Sequence, residues 1–181
     1  IAFGPSHCAV CHVPKDKAME VDKGLDMPLV GGMDEEIPGF AILRAPNLTP
    51  DKETGIGNLS DGQIARTLRH GIRSDGRAMI PLMPFHTMSD EDVVAVLSFL
   101  RSQEPVKNKV APSEYAFMAK ALFAFGVFKP EFPETPPPAS VPKDSSAEYG
   151  KYIAVSLANC KGCHTYFDFM AGKYVGKEYS G

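Results

Sequence analysis

The chain has 181 residues, a formal net charge of −3 and 44% hydrophobic side chains. That length suits one domain or two small ones, and the near-neutral charge leaves no basic footprint for nucleic acid. No apolar run reaches the ~20 residues that span a bilayer.

In chain order, the first signal is Cys8-Ala-Val-Cys11-His12, and the same pattern returns as Cys160-Lys-Gly-Cys163-His164. These are all four cysteines, so none is spare for a disulfide. C-x-x-C-H is the attachment signature of a c-type haem. Two thiols three residues apart on one helical turn can form thioethers with the two vinyl groups of a porphyrin. The next histidine then falls under the ring, where its imidazole can bind iron. A thioredoxin-type C-x-x-C would need a βαβ context, and none is visible. Zinc knuckles usually lie a few tens of residues apart, without a histidine directly after each pair. Two covalently attached haems c are therefore expected, held by Cys8, Cys11 and His12 and by Cys160, Cys163 and His164.

A helix beginning near Ala2 or Gly4 and ending about His12 should carry the first motif. The region to Asn58 is dense in Gly and Pro ("PLVGG", "EEIPGF", "RAPNLTPDKETGIGN") and shows little helical or strand periodicity. A small domain that wraps a flat apolar ligand, with no conventional core, should look like this. Residues 1–58 carry nine acidic and five basic side chains. Arg66, Arg69, Arg73 and Arg77 follow as a cluster, read first as a solvated helix face and second as a contact for haem propionates or a partner.

Ser60 with Gln63 makes a capping box and Gly71 a stop, predicting a helix with Ile64, Thr67 and Leu68 on its buried face. After the loop "IRSDGRAMIPLMPFHTM", Ser89 caps a second helix whose first turn is acidic, and Val93, Val96, Leu97 and Leu100 repeat at helical spacing. Residues 113–126 read as a further helix, apolar nearly all round. It suits packing under a domain or docking on a membrane protein or surface. Six prolines between 129 and 143 predict a stiff, extended linker. Ser145 or Ser146 should then start a helix, with Tyr149, Tyr152, Ile153 and Leu157 inward, that delivers the second motif.

Whether the sixth position of each iron is filled separates electron transfer from reaction with small molecules. For the first haem the candidates are Met79, Met83, Met88, His70 and His86. A methionine before the final helix suits electron transfer, because a soft thioether favours reduced iron. The other methionines would pack the core.

The segment from "APNLTPDKETGIGN" to "VLSFLRSQEPV", with "GKYIAVSLANCKGCHTYFD", resembles the bacterial tandem-domain, multihaem class I cytochrome c family, over essentially the whole chain. The resemblance implies an all-α, loop-rich class I cytochrome c fold. It would comprise a first haem domain at 1–108, an apolar helix and Pro-rich linker at 109–143, and the N-terminal part of a second haem domain at 144–181. It puts the family's Met-Pro-aromatic element on Met83, Pro84 and Phe85, with Met83 as sixth ligand, and the carbonyl acceptor for the proximal histidine on Pro46. Leu59 stands where relatives often have Trp. The implied function is single-electron transfer between periplasmic or membrane-bound redox partners, as a subunit of a respiratory or dehydrogenase complex, with no substrate chemistry of its own. A dihaem cytochrome c peroxidase is the alternative, with His70, His86 or Glu178 proposable as its acid–base group.

Haem c is attached outside the bacterial inner membrane, so the chain is read as a processed or trimmed periplasmic protein, compatible with a lost signal or anchor and with membrane association through a partner. Only 17 residues follow His164, so the second domain is expected to continue beyond Gly181, to be completed by a partner chain, or to borrow His7, His70 or His86; Met170 lies too close to the motif to serve. Protein denatured after purification is expected to retain two haems per chain by mass, because thioethers survive unfolding. Replacing Cys8 and Cys11 with Ala should remove one and replacing Cys160 and Cys163 the other; haem that extracts freely into acidified organic solvent would exclude covalent attachment.

Overall fold

A computed structural model describes residues 6–23, 27–83 and 85–180. The expected start of the first helix, near Ala2 or Gly4, and Pro84 lie outside the described residues. Proximity along the backbone divides the chain into two compact units: Ile1–Ser60 with Val96–Ala121, and Asp61–Ala95 with Leu122–Gly181.

In the first unit the motif helix α1 (Cys8–His12) is followed by a 3₁₀ turn at Lys15–Lys17 and by α2 (Ala18–Asp22). Strands β1 (Asp34–Ile37) and β2 (Ala41–Arg44) form an antiparallel hairpin with Asp34 opposite Arg44 and Ile37 opposite Ala41. The turn uses Gly39 at positive φ, which costs glycine nothing. β3 (Glu114–Tyr115) adds to the β2 edge. Arg44 fastens this edge, donating to Pro112 O at 2.6 Å and to Glu114 Oε1 at 2.8 Å. The Gly/Pro-rich loop is ordered by its own polar groups. Asn47 is 2% exposed; its Oδ1 accepts from Thr49 N (2.9 Å) and Thr49 Oγ1 (2.8 Å), and its Nδ2 donates to Val106 O (2.8 Å). Asp51 Oδ1 accepts from the Thr54 amide and hydroxyl, which hold its carboxyl below the usual range.

In the second unit α3 (Asp61–His70) ends at Gly71, whose φ of +60° reverses the chain. A tight hairpin returns from there, with Ile72 paired to Ala78 and Arg73 N–H donating to Arg77 O. Helix α4 (Asp90–Ser102) starts in this unit and ends in the first. Ser89 Oγ caps it by accepting from Asp92 N–H at 3.2 Å. After the linker, Ser146 caps α6 (Ala147–Tyr152) with a bond from Tyr149 N–H, and the helix widens into a π-helical stretch at Ile153–Leu157. The second motif helix α7 (Cys160–His164) and a small hairpin of β4 (Phe167–Asp168) and β5 (Lys173–Tyr174) complete the unit.

The all-α expectation is corrected. Among the described residues the helical share is only 34%, and two antiparallel sheets, one of three strands and one of two, make the class mixed. The strands are short, and β1 begins with three acidic residues that seldom favour strands, so no period-2 signal stood out. The apolar helix expected over 113–126 is shorter, α5 (Phe117–Ala124), because Glu114 and Tyr115 pair with β2. Only Ala119 of α5 is buried, and Phe117 is 85% exposed, as is Phe125 just beyond the helix.

Candidate haem-attachment sites

The two motif helices share one backbone pattern. His7 (φ +50°) and Asn159 (φ +45°) precede them in the left-handed region, and Val13 and Thr165 leave them extended. A five-residue helix entered and left in this way is a single turn cut off from its surroundings. It presents two thiols three residues apart on one face, with the histidine at its end. Left-handed backbone is strained for histidine and milder for asparagine. The same strained entry at two places far apart in sequence marks one recurring device.

The first site is closed. His12 is 4% exposed, and its Nδ1 lies 2.8 Å from Pro46 O, so the ring is held as the Nδ1–H tautomer with Nε2 left as the electron-pair donor. Burial holds the imidazole below its ordinary pKa, partly opposed by the Pro46 carbonyl. Burial also pushes the Cys8 thiol up to about 11. Such a position disfavours a thiolate on a bare metal ion and suits a neutral sulfur such as a thioether. The residues therefore fit haem c, which Cys8 and Cys11 would anchor as thioethers and His12 would bind through Nε2.

Pro46 is positioned by a pairing of Leu29–Met33 with Ala45–Leu48. Leu48 N–H donates to Leu29 O (2.8 Å), Gly32 N–H to Ala45 O (3.0 Å) and Ala45 N–H to Met33 O (3.1 Å). Gly31 N–H donates to His12 O at 2.8 Å. A Cβ on Gly31 would lie 2.5 Å from the Pro46 carbonyl carbon and 2.6 Å from its oxygen, and φ there is +75°. In the sequence "PLVGG" reads only as loop; its paired glycines are the signal for this close approach.

The second site is more open. Cys163 and His164 are exposed, Cys160 is half-buried, and among the described residues no partner holds the His164 ring. Lys161 pairs with Glu178 and lies 5.2 Å above the Tyr174 ring, which ties β5 to α7. Burial raises the Tyr174 pKa. Met170 is exposed in the turn between β4 and β5.

The candidate sixth ligands lie in the second unit. Met83 and Met79, both half-buried, line an open cavity with His70, His86, Lys129 and Glu131. His70 Nδ1 is 2.9 Å from Glu131 O, with its ring against Phe132, and His86 Nδ1 is 3.5 Å from Glu131 Oε2. Both histidines are thus engaged by residue 131. Met88 is fully buried in the core.

Gly31→Ala is expected to push the Pro46 carbonyl away from His12. Losing that acceptor makes the imidazole a poorer electron donor, so the midpoint potential of the attached haem should rise, and stability should fall by about 2 kcal/mol or more. Spectroelectrochemical titration and denaturant unfolding check both; an unchanged potential would mean that Pro46 does not tune the site.

No family model matches the chain. It is similar to a nicotinate dehydrogenase subunit of Pseudomonas putida, at 30% identity over 177 residues, 95% of this chain and 14% of that protein. It is similar to the gluconate 2-dehydrogenase cytochrome c subunit of Pantoea cypripedii, at 30% over 166 residues, 87% of this chain and 35% of the relative. A diheme cytochrome c-type protein of Cereibacter sphaeroides shares 27% over 168 residues, 90% and 54% of the two chains. The chain thus spans between 14% and 54% of the length of these relatives. Relatives named as cytochrome c subunits and as a diheme cytochrome match a sequence whose two C-x-x-C-H turns are entered and left alike, and the chain belongs to the bacterial multihaem cytochrome c family.

Proposed function

We propose that this chain passes single electrons, as the cytochrome portion of a membrane-linked dehydrogenase complex, from a catalytic subunit towards a respiratory acceptor. The observation that carries the reading is the repeated attachment turn, the first with its histidine buried and oriented by a backbone carbonyl. The names of the relatives supply the setting, since several are cytochrome subunits of dehydrogenases. Covalent haem c is the cofactor that family membership carries; two haems per chain, one on each motif, is our proposal.

Haem c, when bound, supplies a one-electron iron couple. The chain's part is to hold and tune it. Cys8 and Cys11, and likewise Cys160 and Cys163, would fix each ring covalently. The Pro46 carbonyl holds the His12 tautomer and raises its basicity. Met83 is proposed as sixth ligand of the first haem, its thioether favouring the reduced state and closing the iron to small molecules. Residues 1–108 are proposed as the first haem domain, 109–143 as the connection and 144–181 as part of a second.

The site of action is proposed to be the periplasm, facing a membrane-bound partner. Among the described residues no helix is long and apolar enough to cross a membrane.

Electron carriage predicts that added peroxide is consumed no faster than by an ordinary low-spin cytochrome, even after half-reduction. Rapid peroxide reduction coupled to a small cytochrome donor would replace this reading with a peroxidase. Met83→Ala should abolish the weak sulfur-to-iron charge-transfer band and lower that haem's potential, while Met79→Ala and Met88→Ala should leave the band in place. Survival of the band in the Met83 variant would assign the ligand elsewhere.

A further inference from the structure

Tyr152 stands where capping alone would not put a tyrosine. Its phenol oxygen accepts from Ser89 N–H at 2.9 Å and donates to Asp92 Oδ2 at 2.6 Å. The same carboxylate oxygen accepts from Ser89 Oγ at 2.9 Å. Ser89 is 0% and Asp92 3% exposed. A buried serine and aspartate at a helix start are ordinary capping chemistry. The phenol is additional to it, arriving from 63 residues away in sequence. One turn beyond Tyr152, Ser156 Oγ, also buried, lies 2.9 Å from Thr87 Oγ1. Two side-chain bridges therefore join residues 87–92 to the segment 152–156. From the other side, Arg69 donates to Met88 O at 2.6 Å and pairs with Asp90.

The chain positions give these bridges a consequence. Residues 87–92 begin four positions after Met83 and hold the far end of its loop. Residues 152–156 lead straight into the second attachment helix, α7. We infer that Tyr152, seconded by Ser156, is a positioning residue that locks the approach to the second attachment motif onto the segment carrying Met83. This deepens the electron-transfer reading and rests on it. Electron exchange between two groups in one chain depends on a fixed spacing, and a short, partly buried polar bridge fixes direction as well as distance. Apolar packing alone would stabilise the pair of segments without setting their register.

The test uses the purified haem-loaded protein and its Tyr152→Phe, Thr87→Val and Thr87→Ser variants. Tyr149→Phe serves as control, since that ring lies 6.3 Å from Tyr152 and its backbone N–H is already held by Ser146. Amide hydrogen exchange is followed over 85–93 and 152–164 beside the sulfur-to-iron band. In Tyr152→Phe exchange should quicken about tenfold in both segments together, the usual effect of orphaning one buried donor, and the band should weaken. Thr87→Val should do the same in smaller degree, Thr87→Ser should restore the native behaviour, and Tyr149→Phe should change neither reading. Quickening confined to one segment, or none in either, would overturn the lock. The electron-transfer reading fails separately, through loss of haem on extraction or rapid peroxide turnover in the unaltered protein. If the unaltered protein shows no band, Met83 is not the ligand, and hydrogen exchange alone decides the lock.

Discussion

The hydrogen bond from His12 Nδ1–H to Pro46 O is the constraint around which the loop-rich first unit is arranged. An imidazole buried to this extent needs a partner for its ring N–H, because an orphaned buried donor costs about 1–3 kcal/mol. That partner must be a carbonyl for Nε2 to remain an electron-pair donor. Everything between Leu29 and Leu48 serves that requirement. The segment 29–33 runs beside 45–48 in a short ladder of backbone bonds, and the β1–β2 hairpin closes the turn between them. Gly31 lets the ladder lie against the Pro46 carbonyl, and the Asn47 side chain braces the next residues from below. Leu29, Phe40 and Ala41 are buried in this segment, and bonds between buried polar groups fix its path.

The two C-x-x-C-H motifs are legible in the sequence as single helical turns, and α1 and α7 are such turns. Their residue types alone suggest Cys8, Cys11 and His12, and the counterparts at 160–164, as haem anchors, and that assignment is our proposal. Pro46 was legible only through resemblance, since nothing about a Pro-Asn-Leu triplet announces an acceptor for a histidine 34 residues earlier. The strands were not legible. β1 carries Asp34, Glu35 and Glu36, and its pairing is set by the neighbouring ladder and by Arg44, which no local pattern reveals. Helix caps at Ser89 and Ser146 were readable, because capping is a local matter. The break at Asn159 was not foreseen, and it separates the π-helical stretch from the motif helix. Its signal was an asparagine directly before a cysteine, a residue type that tolerates left-handed backbone.

The two attachment turns show how far local geometry and its surroundings can diverge. Their backbone entries and exits agree, yet His12 is buried and held while His164 is exposed. The turn itself is therefore specified by a few residues at most, and protection of the histidine comes from chain far away in sequence. In the first case that chain is the loop at 29–48. Covalent haem attachment, as proposed, would make such a division workable, because a tethered ring stays in place however loosely its surroundings close.

The proline-rich connection illustrates a related complementarity. Composition alone suggested a stiff spacer, because six prolines between 129 and 143 favour extended backbone. The structure gives it a second property. Asp90 N–H and Glu91 N–H, at the start of α4, donate to Pro138 O and Ala139 O at 3.0 Å each. The first turn of any helix has backbone N–H groups without intrahelical partners. Proline has a carbonyl but no N–H, so a run of prolines is a backbone of acceptors with few donors to satisfy in return. Such a run can lie across a helix start and leave few polar groups of its own unpaired. Lys143 adds charge to the same contact through Glu91, at 3.3 Å, though a pair this exposed contributes little beyond orientation. The linker's stiffness and its lack of donors are thus one feature of composition with two effects: it limits the paths the chain can take, and it provides the partner that the helix end requires.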